Sequence, residues 1–234
     1  MRRLALFCGG FAAGILLAQY LLPDGWLLPV GLVCLGAGIL ALFLPEQWRK
    51  RAVLCLVGTA LALGWDWLYL RQVSAPMEAL ADSQQTLTMT LTEYPTSTAF
   101  GAKAAVQAEG LPGRLTYYGD TALLQMCPGQ RITDDVYLQS ASRIRDDDVT
   151  VFNSKGVFLL AYSRGTPAFG KGDPDAVRWW PARLGRAMQE RIRTLFDGDD
   201  AGFLLALLTG RKGELSTQAD VDLSEAGVYH ILAV

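Results

Sequence analysis

The chain carries a single histidine, four cysteines and few charges, with only 19% of its 234 residues being Asp, Glu, Lys or Arg. One histidine, His230, cannot build a cluster of imidazole ligands or a Cys/His pair at zinc-site spacing. Neither a phosphate-cradling glycine loop nor a nucleophile elbow is present, so no catalytic step and no cofactor is expected. Cys8, Cys34 and Cys55 fall inside apolar runs while Cys127 stands alone in the polar middle, which excludes a disulfide framework there. The adjacent acids Asp146, Asp147 and Asp148 point in different directions and read as a solvated turn, not a metal cradle. A formal net charge of −2 excludes broad attraction to nucleic acid. Any such binding has to be local.

What the chain has in quantity is apolar sequence, 51% of the total, concentrated in the first 70 residues. Leu4 to Leu22 runs without a charge and closes at Pro23-Asp24-Gly25; Trp26 to Leu44 repeats the pattern and closes at Pro45. Ala52 to Leu70 follows, with Asp66 as its only charge. Each run reaches the roughly 20 residues that cross a hydrocarbon core, so three transmembrane helices are expected over residues 1–72. A cleaved signal peptide fits the first run poorly, because no A-x-A site follows and a second apolar run begins almost at once. Lipoprotein processing at Cys8 fits worse, since Phe7 is bulky and the preceding run short. Arg2 and Arg3 share a side with Arg49, Lys50 and Arg51, and the first turn carries only Asp24. The positive-inside bias then puts the N-terminus in the cytoplasm and residues 74–170 outside. Asp66, beside Trp65, Trp67 and Tyr69, reads either as an interfacial carboxylate with water access or as a polar contact to another helix. Gly10 and Gly14, continued by Ala18, allow a second helix to approach closely.

From about Ser74 the periodicity changes to two. Leu87, Met89 and Leu91 alternate with threonines, and Ala104, Val106 and Ala108 share one face of the next run. Leu115 and Tyr117 share a face between Gly113 and Gly119; Pro128-Gly129 turns the chain into a run carrying Ile132, Val136 and Leu138. Gly156 to Tyr162 is uniformly apolar and suits a strand covered on both faces. Five or six short strands with little helix between them predict a small closed or partly open β-barrel over residues 74–170.

Residues 171–234 return to helix. After Asp173-Pro174, Leu184, Met188, Ile192 and Leu195 repeat at helical spacing, with Arg183, Arg186, Glu190 and Arg193 opposite and Trp179 and Trp180 at the entry. Pro181 must kink or restart this helix. Such a pattern suits a helix in the headgroup layer, or an ordinary surface helix of the barrel domain. Phe203 to Thr209 predicts a short apolar helix stopped at Gly210, and Ser216 caps another that ends at Gly227. Val228 to Val234 begins a further apolar run, and we read the chain as a fragment of a longer one.

The tail resembles a known family. Leu207, Leu208 and Gly210, then Leu215-Ser216, then Gly227, His230, Leu232 and Ala233 follow the order that opens the competence domain of ComEC-type DNA-uptake channels. Leu124 to Ile132 and Phe152 to Phe158 are similar, more loosely, to the OB-like domain of the same channels, with Gln130 in place of an acid and Ser154-Lys155 in place of Pro-Gly. The resemblance implies a multi-pass α + β protein of the cell membrane, its OB-like barrel meeting single-stranded DNA outside during natural transformation. By that resemblance Lys103, Arg114, Tyr117, Tyr118, Arg131, Arg143 and Arg145 become candidate DNA contacts, and Gly210, Gly227 and His230 candidate channel-motif residues. Membrane lipid, other competence proteins or a second copy are the further implied partners. Residue type alone reads Tyr117 and Tyr118 as half-core strand residues or as stacking platforms. Between Ser74 and Gly170 ten acids outnumber seven bases. That balance keeps open a second function, a non-transport membrane-anchored barrel that binds a protein, cell-wall or lipid partner.

Overall fold

The computed structural model describes residues 2–144, 147–148, 151–209 and 215–227. Its elements run α1 (Arg2–Tyr20), α2 (Leu27–Leu40), α3 (Glu46–Tyr69), α4 (Ala75–Glu78), β1 (Ser83–Leu91), β2 (Thr96–Thr98), β3 (Gly101–Ala108), β4 (Arg114–Gly119), β5 (Arg131–Ser140), β6 (Arg143–Ile144), β7 (Asp147–Asp148), β8 (Val157–Ser163), β9 (Ala168–Gly170), α5 (Trp180–Leu195), α6 (Gly198–Thr209) and α7 (Thr217–Glu225). They form two compact units: residues 1–85, 108–116 and 136–164 in the first, and 86–107, 117–135 and 165–234 in the second.

Within the first unit α1, α2 and α3 form an up-down-up bundle, and all three are long and apolar enough to cross a membrane. Prolines set the turns: Pro23 precedes the short helical turn Asp24–Trp26, and the Pro45 carbonyl accepts from Trp48 and Arg49 as α3 begins. The parallel pair α1 and α3 approaches to backbone distance. A Cβ on Gly14 would lie 2.7 Å from the Ala62 Cβ, and one on Gly58 would lie 2.5 Å from the Phe7 carbonyl. Thr59 donates from its hydroxyl to the Gly10 carbonyl at 2.9 Å, a hydrogen bond that only this proximity permits. Asp66 is 7% exposed and accepts from Gln19 Nε2 at 3.2 Å, so of its two readings the contact to another helix is the observed one. Large apolar side chains cover the outside, among them Leu16, Leu32, Ile39, Phe43 and Leu61. Exposed Tyr20, Trp26 and Trp65 ring one end and Trp48 the other, as interfacial aromatics do.

α3 passes through a π-helical turn, Leu70–Ser74, into α4, which fastens to strands of the same unit. Met77 is fully buried, Tyr69 and Phe158 rings lie 6.1 Å apart, and Glu78 accepts from the Ser140 and Ser142 hydroxyls at 3.0 and 2.8 Å. In the turn after α4 the Asp82 amide donates to the Leu138 carbonyl at 2.7 Å, so the chain leaving the helix is tied to β5 by backbone as well.

The sheet closes on itself: the order β1, β3, β4, β8, β5 returns to β1, giving a five-stranded barrel, with β2 paired to β3 and β9 to β5 outside the ring. The β5–β8 register pairs Leu138 with Ala161, and the β5–β9 register pairs Ile132 with Phe169. Alternation decides the faces. Met89, Leu91, Ala104, Val106, Leu115, Ile132, Val136 and Leu138 are buried, and small alanines on β3 leave room for larger residues elsewhere in the barrel. On β8 the consecutive Leu159, Leu160 and Ala161 are all buried, as its uniform apolarity predicts.

In the second unit a short helical turn, Val177–Trp179, follows Asp173-Pro174, and α5 begins at Trp180 with Pro181 in its first turn, where a missing N–H costs nothing. Ile192 of α5 packs on Ala201 and Leu205 of α6. Ser216 caps α7 by accepting from the Ala219 amide at 3.1 Å and is itself held by Asp199 at 2.9 Å.

Candidate functional site

The barrel interior holds a polar pair. Tyr117 points inward from β4 at 1% exposure, and its hydroxyl donates to Asp134 Oδ2 on β5 at 2.8 Å. Asp134 is 2% exposed and its second oxygen, Oδ1, has no hydrogen-bond partner. Glycines make the space: a Cβ on Gly119 would meet the Tyr117 ring at 2.7 Å, and one on Gly165 would sit 3.2 Å from Asp134 Oδ1. Tyr117 therefore leaves the set of surface candidates. Strand alternation puts it on the face of Leu115, where it has no ring face to offer a base.

The other candidates divide by unit. In the second, Lys103 is exposed on β3, Tyr118 is half-buried on the outer face of β4, and Arg131 is exposed on β5 opposite Gly170 of β9. In the first, Arg114 is exposed at the start of β4 and Arg143 is exposed in β6, paired in register with Asp148. Arg145, Gly210 and His230 lie outside the described residues. Gly227 follows α7 with φ of 68°, a left-handed conformation that terminates the helix and needs no other role.

One aromatic escaped the sequence reading. Phe100 sits at the tip of the β2–β3 hairpin, where Thr98 pairs with Gly101, and it is fully exposed. Its signal was the two-residue spacing between short strands followed by Gly101, whose φ of 140° only glycine adopts freely. An apolar ring left in solvent at a hairpin tip is the type of side chain that stacks on a flat ligand or inserts into a partner.

The charged face of α5 is engaged locally. Arg186 lies 5.4 Å over the Tyr94 ring and donates to Glu190 at 2.7 Å, while Arg183 pairs with Asp175 at 3.0 Å. Burial pushes the Tyr94 phenol above its ordinary range, nearby Cys127 adds to the rise, and Arg186 and Arg183 oppose it. Trp179 is half-buried against the turn before β5: a Cβ on Gly129 would meet its indole nitrogen at 2.5 Å. Of the two entry tryptophans only Trp180, 59% exposed, remains open to a headgroup layer. No protein-family model, no curated protein and no solved structure matches this chain.

Proposed function

We propose that this chain forms part of a membrane channel for single-stranded DNA uptake, with its barrel contacting the strand outside the cell membrane. The observation that carries the reading is the strand order. Numbered along the barrel alone, the five strands close as 1-2-3-5-4-1, the order of an OB-type Greek-key barrel. In such barrels oligonucleotides lie on strands 2 and 3 and on the loops joining strands 1–2 and 4–5. Of the second unit's residues, Lys103 is on the second barrel strand, Tyr118 is on the third and Phe100 is in the 1–2 connection. A cation together with two rings, Phe100 exposed and Tyr118 half-buried, suits a phosphate backbone with stacked bases. Three membrane-length helices would anchor such a chain in the lipid. The exposed Leu184, Met188 and Leu195 of α5 support a further contact with the headgroup layer.

The test uses the full chain in nanodiscs with a labelled oligothymidine at low salt. Stacking is worth ~1–3 kcal/mol per base, so Phe100→Ala and Tyr118→Ala each weaken binding at least about fivefold, and Lys103→Ala lowers the salt dependence. An oligonucleotide that fails to bind, or binds all three variants like the parent, sinks the DNA reading and favours a barrel that serves a protein, wall or lipid partner.

A further inference from the structure

We propose that the end of the helical bundle formed by Arg3 and the α2–α3 turn is a binding site for an anionic phospholipid. Two clefts open there, one of about 670 Å³ lined by Arg3, Leu6, Lys50, Arg51 and Leu54, and one of about 270 Å³ between Arg3, Leu42, Arg49 and Val53. All of these residues belong to the first unit. Arg3, Arg49, Lys50 and Arg51 meet a single acid, Glu46, which pairs with Lys50 at 2.8 Å and leaves three cations in excess. Sequence alone makes these residues an orientation signal. The parallel packing of α1 on α3 turns them into one site, because it sets the first turn of α1 beside the first turns of α3.

The lining decides the chemistry. A free phosphate needs only the cations, yet each cleft also has apolar lining, Leu6 with Leu54 in one and Leu42 with Val53 in the other. A molecule with an anionic head and an acyl chain satisfies both halves. Trp48, 59% exposed with Arg51 6.0 Å from its ring, marks this level as the water–lipid boundary. The inference rests on the helices crossing a bilayer and is independent of any role in DNA uptake.

Native mass spectrometry of the full chain in detergent, titrated with phosphatidylglycerol or phosphatidylcholine of the same acyl length, tests it. Phosphatidylglycerol binds on the order of tenfold tighter, and Arg3→Gln or Arg51→Gln each weakens it about fivefold without moving phosphatidylcholine. Lys171→Gln removes the same charge from an exposed segment outside the helical bundle and changes neither. Equal retention of the two lipids, variants that bind like the parent, or displacement of the lipid by millimolar inorganic phosphate would overturn the site. Melting of each variant in detergent shows whether it folds; should Arg3→Gln unfold, the exposed Arg51→Gln carries the measurement.

Discussion

The helical stem turns Leu16, Leu32, Ile39, Phe43 and Leu61 outward, whereas the barrel turns out Lys103, Arg114, Arg131 and Thr133 and, apart from Phe100 and Phe169, keeps most of its large apolar side chains inside. Their interiors differ just as sharply. The stem is packed by what it lacks, glycines at 10, 14 and 58 that let carbonyls and Cα atoms of α1 and α3 touch, with Thr59 and Cys55 donating to backbone across the gap. The barrel is packed by alternating side chains of unequal size around Tyr117 and Asp134. A bilayer, which these helices are long and apolar enough to cross, would remove the hydrophobic drive between them and leave close contact and hydrogen bonds to hold them; the barrel gains from taking apolar area out of water.

Substitutions at glycine break that comparison most sharply. Gly58→Leu forces a side chain into the Phe7 carbonyl and costs about 3 kcal/mol or more, read as loss of the folded bundle in detergent unfolding. Gly36→Leu, on a face of α2 with nothing within 4 Å, stays within about 0.5 kcal/mol of the parent. Equal effects at the two positions would mean that the stem is not held by backbone approach.

Gly129→Ala follows in size. The residue has φ of 91° and its missing Cβ is where Trp179 and the Asp173 carbonyl sit, so the change costs roughly 1–3 kcal/mol in backbone strain before the tryptophan is displaced. Urea unfolding followed by tryptophan emission measures both consequences. In the barrel, Tyr117→Phe deprives Asp134 of the hydroxyl that donates to its Oδ2 and lowers stability by about 1–3 kcal/mol. Adding Asp134→Leu recovers most of that loss, since an apolar pair leaves no buried acceptor unsatisfied. A double variant no better than the single one would show the carboxylate to be held by more than the tyrosine.

The smallest effect is a pH dependence. Tyr137 donates to Asp82 at 3.1 Å; that hydrogen bond, then burial and the Asp82 charge, hold its phenol above the ordinary tyrosine value, with Arg164 opposing. The folded state favours the neutral phenol, so this contribution is complete below the unfolded value of about 10 and is lost as pH rises through the higher folded value. Absorbance at alkaline pH follows the titration, and Tyr137→Phe removes one late step from it.

Much of the architecture was legible because it is local. Runs of uncharged residues bounded by Pro23 and Pro45 marked the helices, and alternation at Met89, Val106, Leu115, Ile132 and Leu138 marked the strands within a residue or two at most ends. Ser216 and Gly227 announced the ends of α7 for the same reason: a cap is a matter of neighbours. The surface candidates were harder, because alternation gives two faces and does not say which is inside. Tyr117 and Tyr118 are adjacent and chemically alike, and only the packing of the barrel turns one inward to Asp134 and the other out. Phe100 carried no periodic signal at all.

Sequence by itself determined the element types, their order, and the contrast between an apolar first third and an alternating middle, since each follows from the spacing of side chains along a helix or a strand. Tertiary structure alone decided that the sheet closes between β1 and β5, that Asp66 meets Gln19 across 47 positions, and that Arg3 joins Lys50 and Arg51 around one cleft. Those outcomes depend on which distant residues are brought within a few ångströms, and a periodicity that repeats every two or four residues holds no information about partners fifty residues away.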